Sequence, residues 1–335
     1  MHLQNNRFRH FSYCLRFGGV LILTALIAGL GGILLHEFLD LIEYLVFGHG
    51  ETSTTQAVSS KQFILIVLAG IISAILWCFL QRKNRQIISV KSQMKAENPA
   101  SRIPKLWIHL TNIFLQVASV GAGSPIGKEG APRELGALGA GRVSDYLKLT
   151  LQDRELAIAC GASAGLAAVY QVPVASIFFA FETLGLGISV LNLISILVTT
   201  ILASIVAGVV ISDAPLYETA QVTLDVKTAL LAMFLVVLIS PIAQLFRRLT
   251  QKAQAQKTTD HNVLWCLPLT FLLLASLSLI FPEILGNGAA LAQAVFDGMT
   301  VQYAAVIVVV KAFVVLLTLK NGAYGGTLTL SLIHI

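Results

Sequence analysis

The residues best placed to do chemistry are Lys128 and Glu129, set between Gly127 and Gly130 in the stretch GAGSPIGKEGAPRELGALGAGRVSD at 121–145. Gly127 and Gly130 let the backbone bend sharply and bare its amides beside the Lys-Glu pair. After Pro132 the pattern predicts a helix packed through small residues: Gly136, Ala137, Gly139, Ala140 and Gly141. A helix that begins inside a membrane aims unpaired N–H groups and a positive dipole end at whatever lies in front of it. That is an anion site made of backbone, with the Glu129 carboxylate at its mouth. Anion and carboxylate want the same place, so one can gate the other.

Other chemistries fit these residues less well. Ala122 to Lys128 matches a loose phosphate-binding loop, [AG]-x4-G-K, but Glu129 stands where Ser or Thr must hold magnesium and would repel phosphate. An intramembrane enzyme using Glu129 or Glu182 as acid and base lacks a Ser-His pair, an HExxH or an Asp dyad at working spacing. A purely structural membrane protein has no need of Glu129 in a glycine hairpin. No enzyme is expected, with an intramembrane enzyme the remote alternative.

The elements that must position these residues are membrane helices. The chain is 335 residues long, 56% hydrophobic and 12% charged, with mean hydropathy +0.79. Soluble domains carry about a quarter charged residues, so an all-α polytopic membrane protein is predicted. Its net charge of +6 gathers in short loops, as at Arg82, Lys83 and Arg85 or Arg247, Arg248 and Lys252. Cytoplasmic loops of membrane proteins carry that pattern, which argues against nucleic acid as a partner. Cys14, Cys78, Cys160 and Cys266 lack CxxC or His spacing, so neither a disulfide framework nor a metal site is expected; they read as small hydrophobes. No cofactor is implied.

Taken in order, the first span covers about residues 15–46, with its N-terminus in the cytoplasm. Its end carries His36, Glu37, Asp40 and Glu43, read as a polar helix end at the interface rather than a metal cluster. Residues 63–80 return, 86–106 show weak periodicity, and 106–120 lead as a short helix into the central motif; His109 reads as a packed interfacial residue. Residues 156–184 form two short helices broken at Val172-Pro173-Val174, closed by Glu182, an acid at a depth where acids are functional candidates. Further spans are 186–212, 228–246 (followed by the basic stretch RRLTQKAQAQK), 263–281 and 301–319, the last with Lys311 in mid-span. That lysine reads as snorkelling or cavity-facing. NGAYGGTLT at 321–329 is a second glycine hairpin, which hints at two related halves.

Together these motifs resemble the CLC family of chloride channels and proton/chloride exchangers. GKEG at 127–130 resembles that family's G-[KR]-E-G-P signature, whose glutamate is the external gate. GASAGLAAVYQVPVASIFFAFE at 161–182 is similar to its small-residue helix, proline break and Phe-rich helix ending in acid. NGAYGGTLT resembles the start of the G-x-F-x-P segment, whose amides hold the central anion, and FPEILGNG at 281–288 also fits. The resemblance covers roughly residues 15–329. It implies a CLC-type inverted-repeat helical bundle with broken and re-entrant helices, its second half incomplete. It further implies a multi-pass inner-membrane protein, a homodimer, that moves chloride or a similar small anion, passively or coupled to protons. Glu129 would be the gate. The amides of Gly127, Lys128, Glu129, Gly130, Gly326, Thr327 and Leu328 would hold the anion, and Glu182 and Thr183 would lie on a proton path.

Three departures qualify that expectation. Ala131 stands where the family has Pro, with Pro132 after it. The G-S-G-I-P motif has no counterpart; the region reads RQIISVKSQM, with Ser89 and Ser92 as poor stand-ins, which leaves fluoride or nitrate preference as an alternative. In exchangers a glutamate often follows the acid matched by Glu182, and here that position is Thr183, which favours a channel or weakly coupled transporter. The last six residues, LSLIHI at 330–335, read like the in-frame translation of a transposon-type sequencing adaptor. A transport domain of 1–329, followed by a non-native tail at 330–335, is expected.

Overall fold

A computed structural model describes residues 2–48, 57–81, 87–95, 105–212, 217–219 and 225–326, with side chains from residue 13 onward. The described residues hold twelve α-helices and no β-strand. Contacts divide the chain into two compact units. One comprises Met1–Glu37, Arg85–Phe114 and Ala131–Asp213, and the other Phe38–Asn84, Leu115–Gly130 and Ala214–Ile335. Among the described residues five helices are long and apolar enough to cross a membrane: α1 (His2–Phe47, apolar from Tyr13), α2 (Ser60–Leu80), α8 (Val190–Ala207), α9 (Val226–Ala255) and α12 (Val301–Lys320). The rest are α3 (Val90–Lys95), α4 (Leu106–Gly121), α5 (Gly130–Tyr146), α6 (Leu151–Tyr170), α7 (Pro173–Glu182), α10 (Val263–Ser278) and α11 (Ala289–Phe296).

Local chemistry sets several boundaries. Thr150 caps α6, its hydroxyl accepting the Asp153 N–H. The cap draws Leu151–Glu155 into the helix, so α6 runs 20 residues instead of the short half-helix expected before the Val-Pro-Val break. It ends where Gln171 turns left-handed (φ 53°), and Pro173 opens α7 at a first-turn position that needs no N–H. Asp225 caps α9 through the Thr228 N–H at 2.7 Å and hydroxyl at 2.6 Å, and those two bonds hold its carboxyl below its ordinary value. From there α9 continues through Pro241 and through the basic stretch expected as a loop, reaching Ala255. In contrast α10 stops at Ser278, short of the predicted 281, because Pro282 opens a 3-10 turn. Ser59 begins α2 with a capping box shared with Gln62.

The first unit is held together by small residues. Ala25, Ala28, Ala164, Ala168, Ala203, Ala207 and Ile211 form one buried cluster. A second joins Leu21, Leu156, Cys160, Ile177, Ala180 and Ile196. Helices α5 and α6 approach backbone to backbone. A methyl on Gly136 would collide with the Gly161 carbonyl, its carbon only 2.7 Å away, and one on Gly165 with the Pro132 carbonyl, also 2.7 Å at carbon. Neither obstacle is a side chain that can swing aside. Gly136→Ala is therefore expected to destabilise the protein by about 1–3 kcal/mol, the cost of overpacking. Detergent thermal melts should show the loss, while Gly141, where a methyl would meet Arg154 at 3.6 Å and Ile158 at 3.7 Å in ordinary contact, should accept alanine with little change.

In the second unit α2 packs on α10, and α9 and α10 each pack on α12. Phe271 lies directly over Gly70, where no side chain would fit. Along the end of α1, His36 is half-buried, Glu37 and Asp40 are exposed, and Glu43 is buried at 5% exposure. Glu43 thus departs from the interfacial position expected for it.

Candidate functional site

The central hairpin folds as a turn between α4 and α5. Gly123 takes a left-handed conformation (φ 101°), and the Ser124 N–H turns back to the Ser119 carbonyl at 2.9 Å. Residues 124–127 then run out to an antiparallel bridge with the second hairpin. The Gly127 N–H donates to the Gly326 carbonyl and the Gly326 N–H to the Gly127 carbonyl, both at 2.8 Å. Ile126, fully buried, packs against Gly325. Glu129 follows just before Gly130 opens α5.

Glu129 is buried, with 1% of its surface exposed. Its carboxylate lies across the Cα atoms of Gly127 and Gly326. A methyl on Gly127 would meet the Glu129 carboxyl carbon and Oε1 at 2.8 Å, and one on Gly326 would meet the carboxyl carbon at 3.2 Å. A methyl on Gly130 would run into the Gln116 Oε1 and lie 3.4 Å from the Gly326 amide nitrogen. Only side-chain-free backbone leaves room for the carboxylate here. It rests on the glycine bridge at the α5 N-terminus, where first-turn N–H groups lack helical acceptors and the dipole favours negative charge.

Of the expected anion-holding residues, Gly127, Lys128, Glu129, Gly130 and Gly326 come together in the second unit. Two of them do not offer what was expected. The amides of Gly127 and Gly326 are committed to each other, because two hairpins meeting edge to edge pair their backbones first. The Lys128 side chain is half-buried. Thr327 and Leu328, and the tail from 330 to 335, lie outside the described residues. Glu182 and Thr183 belong to the first unit, where they close α7 with both side chains exposed.

Three polar features escaped sequence reasoning. In α4, His109, Asn112 and Gln116 recur at i, i+3 and i+7 and are all buried, a polar stripe hidden by the helix's apolar average. His109, expected at an interface, is fully buried. Its Nδ1 lies 2.6 Å from Glu134 Oε1, Asn112 donates to Glu134 Oε2 at 2.9 Å, and the Ile88 N–H donates to His109 Nε2 at 3.3 Å. An amide can only donate, so Nε2 accepts and the ring proton sits on Nδ1, facing Glu134. Third, Lys311 neither snorkels nor lines a cavity; it is 2% exposed among backbone carbonyls. The arm leading to Gly326 is pinned by Gln81 donating to the Gly322 carbonyl (3.1 Å) and by Lys257, half-buried against the Tyr324 ring. Burial pushes the Lys257 ammonium well below the usual lysine range. Among the described residues no three His, Cys, Asp or Glu side chains group as metal ligands.

The chain is similar to known proteins in sequence and fold. A family model described as voltage gated chloride channel matches residues 69–334. The chain is 31% identical over 214 residues to the voltage-gated ClC-type chloride channel ClcB of Escherichia coli O17:K52:H18, covering 63% of this chain and 51% of that one. Against ClcB of Citrobacter koseri it is 29% identical over 221 residues, with the same coverage. The chain spans about half the length of the curated relatives it matches. Its fold is similar to a slow cyanobacterial Cl-/H+ antiporter, at TM-score 0.75 and 18% identity over 93% of this chain and 75% of that one. It is similar also to a CLC-type fluoride/proton antiporter, at TM-score 0.71 and 20% identity over 93% and 77%.

Proposed function

The chain belongs to the voltage-gated chloride channel family, and from that premise we propose that it moves chloride or a similar small anion along a pathway gated by Glu129. One observation carries the reading: the buried Glu129 carboxylate lies on the Gly127–Gly326 bridge at the N-terminus of α5. A site that accommodates a carboxylate on bare backbone suits a halide, because fixed N–H dipoles replace lost water without the full positive charge that would trap the ion. Lys128, next to Glu129, adds positive potential. Ionised, Glu129 holds the seat and blocks; protonated or displaced by an anion, it leaves. Gly127 and Gly326 bond to each other, so in this reading the proposed donors are the amides of Lys128, Glu129, Gly130, Thr327 and Leu328.

Thr183 in place of a second acid favours a channel or a loosely coupled exchanger, with Glu182 the remaining acid on that helix end. Chloride is the anion proposed; fluoride or nitrate preference is the alternative left by the missing serine motif. Residence in the inner membrane with the N-terminus cytoplasmic, and assembly as a homodimer, belong to the same reading.

The test is efflux from chloride-loaded liposomes reconstituted with the full-length protein, with pH recorded at the same time. Protein-dependent chloride efflux that quickens as external pH falls is expected. Proton uptake in fixed ratio to chloride would mark an exchanger and its absence a channel. Faster fluoride or nitrate than chloride would move the reading to its alternative, and no protein-dependent anion flux would overturn it.

A further inference from the structure

A buried lysine in the middle of a membrane helix needs partners for its charge. Lys311 finds them in four consecutive backbone carbonyls. Its Nζ lies 3.3 Å from the Glu283 oxygen, 3.0 Å from Ile284, 3.2 Å from Leu285 and 3.1 Å from Gly286. The turn at 282–288 is shaped to aim them. Pro282–Ile284 form a 3-10 turn, Leu285 is extended, and Gly286 (φ 64°) and Gly288 (φ 105°) take left-handed conformations, with Asn287 accepting the Ala289 N–H. Carbonyls at the end of such a turn lack N–H donors from the turn itself. One ammonium, with three hydrogens shared among four oxygens, holds the whole turn.

That turn reaches the central hairpin. The Gly286 N–H donates to the Gly123 carbonyl at 3.0 Å, and Leu285 packs where a side chain on Gly123 would stand, 3.3 Å away. The loop 123–127 is thus tied at its start to Gly286 and at its end to Gly326, and Glu129 lies on its far end. We propose that Lys311 is a positioning residue for the gate. It acts through the backbone: it fixes the 283–286 turn, which fixes Gly123 and hence the register at which Gly127 meets Gly326 beneath the carboxylate. The inference rests on the gating role proposed for Glu129.

An ammonium could instead act by its charge alone, drawing anions inward. Two substitutions separate the possibilities. Lys311→Met removes charge and donors. Lys311→Arg keeps the charge but spreads its donors over a planar fork that cannot converge on one point. Positioning predicts that both variants lower the ratio of flux at acid to flux at alkaline external pH, by roughly tenfold, the loss of a hydrogen bond to a charged group. Flux at acid pH should stay near the parent's. Amide exchange across 119–127 and 283–288, measured on the purified full-length protein, should quicken in both. A parental ratio in Lys311→Arg with a lowered one in Lys311→Met would overturn positioning in favour of charge. Parental ratios and parental exchange in both would overturn it outright. Should Glu129→Gln leave the pH dependence intact, the gating reading fails instead, and the exchange measurement still decides whether Lys311 holds the loop. If Lys311→Met does not fold, Lys311→Arg alone carries both readouts.

Discussion

Replacing Glu129 with glutamine should give anion flux that no longer responds to external pH. The parent protein, by the proposed mechanism, is blocked when Glu129 is ionised on its seat and opens as falling pH adds a proton. The sign follows from the seat itself. A glycine bridge at a helix N-terminus favours negative charge, so the ionised form belongs to the seated, closed state. Protonation removes what holds it there. Glutamine keeps the shape and cannot titrate, so the pH term disappears while the pathway stays partly filled. Alanine empties the seat altogether, and its flux should match the parent's acid limit at every pH. Negative charge at a partly buried helix N-terminus is favoured by up to about 2 kcal/mol, so alkaline flux in the alanine variant should exceed the parent's by roughly tenfold or more. Liposome efflux over a range of external pH reads both variants directly. Unchanged pH dependence in Glu129→Gln would remove the residue from the gate.

Much of this site is written locally. Glycines flanking a charged pair in apolar surroundings, and a proline that stops one helix and starts the next, act within a few residues, so the central hairpin and the α6–α7 break could be read directly. The second hairpin, expected at 321–329, was legible for the same reason as far as Gly326, where the described residues end. What it does was not. Its pairing with Gly127 joins positions 199 residues apart, counting from 127 to 326, and no local pattern specifies that meeting. The error over the Gly127 and Gly326 amides follows from it: read separately, each hairpin bares its N–H groups; read as a pair, they satisfy each other. Lys311 failed in a similar way. Composition shows a lysine in an apolar run, and the usual outcomes are snorkelling or a wet cavity. Its partners are carbonyls that every residue carries, so they leave no mark in the sequence. His109, Asn112 and Gln116 did leave one, a polar set at helical spacing, which the strongly apolar character of α4 concealed.

The most direct test of the seat leaves Glu129 in place and removes the room for it. At Gly127 the three atoms nearest a new methyl are all from the Glu129 carboxylate; at Gly326 two of the three are, and the third is the Gly130 nitrogen at 3.2 Å. Neither glycine needs a left-handed backbone, so alanine is conformationally acceptable, and an alanine amide can still donate across the bridge. The obstacle is the far end of a flexible side chain, which moves at small cost compared with shifting backbone. Gly127→Ala is therefore expected to evict the carboxylate and open the pathway at alkaline pH with the acid intact. Flux there should rise roughly tenfold or more, equivalent to about 1.4 kcal/mol of lost seat stability. The double variant makes the cause explicit. In a Glu129→Ala background the new methyl has nothing to displace, so its effect should vanish, the non-additivity expected of groups that share one site. A methyl that merely narrowed the pathway would lower flux in both backgrounds, and that result would place the anion's route on the glycines while taking the carboxylate off them. Gly326→Ala should behave like Gly127→Ala, with a smaller gain because the Gly130 backbone must also yield by a few tenths of an ångström.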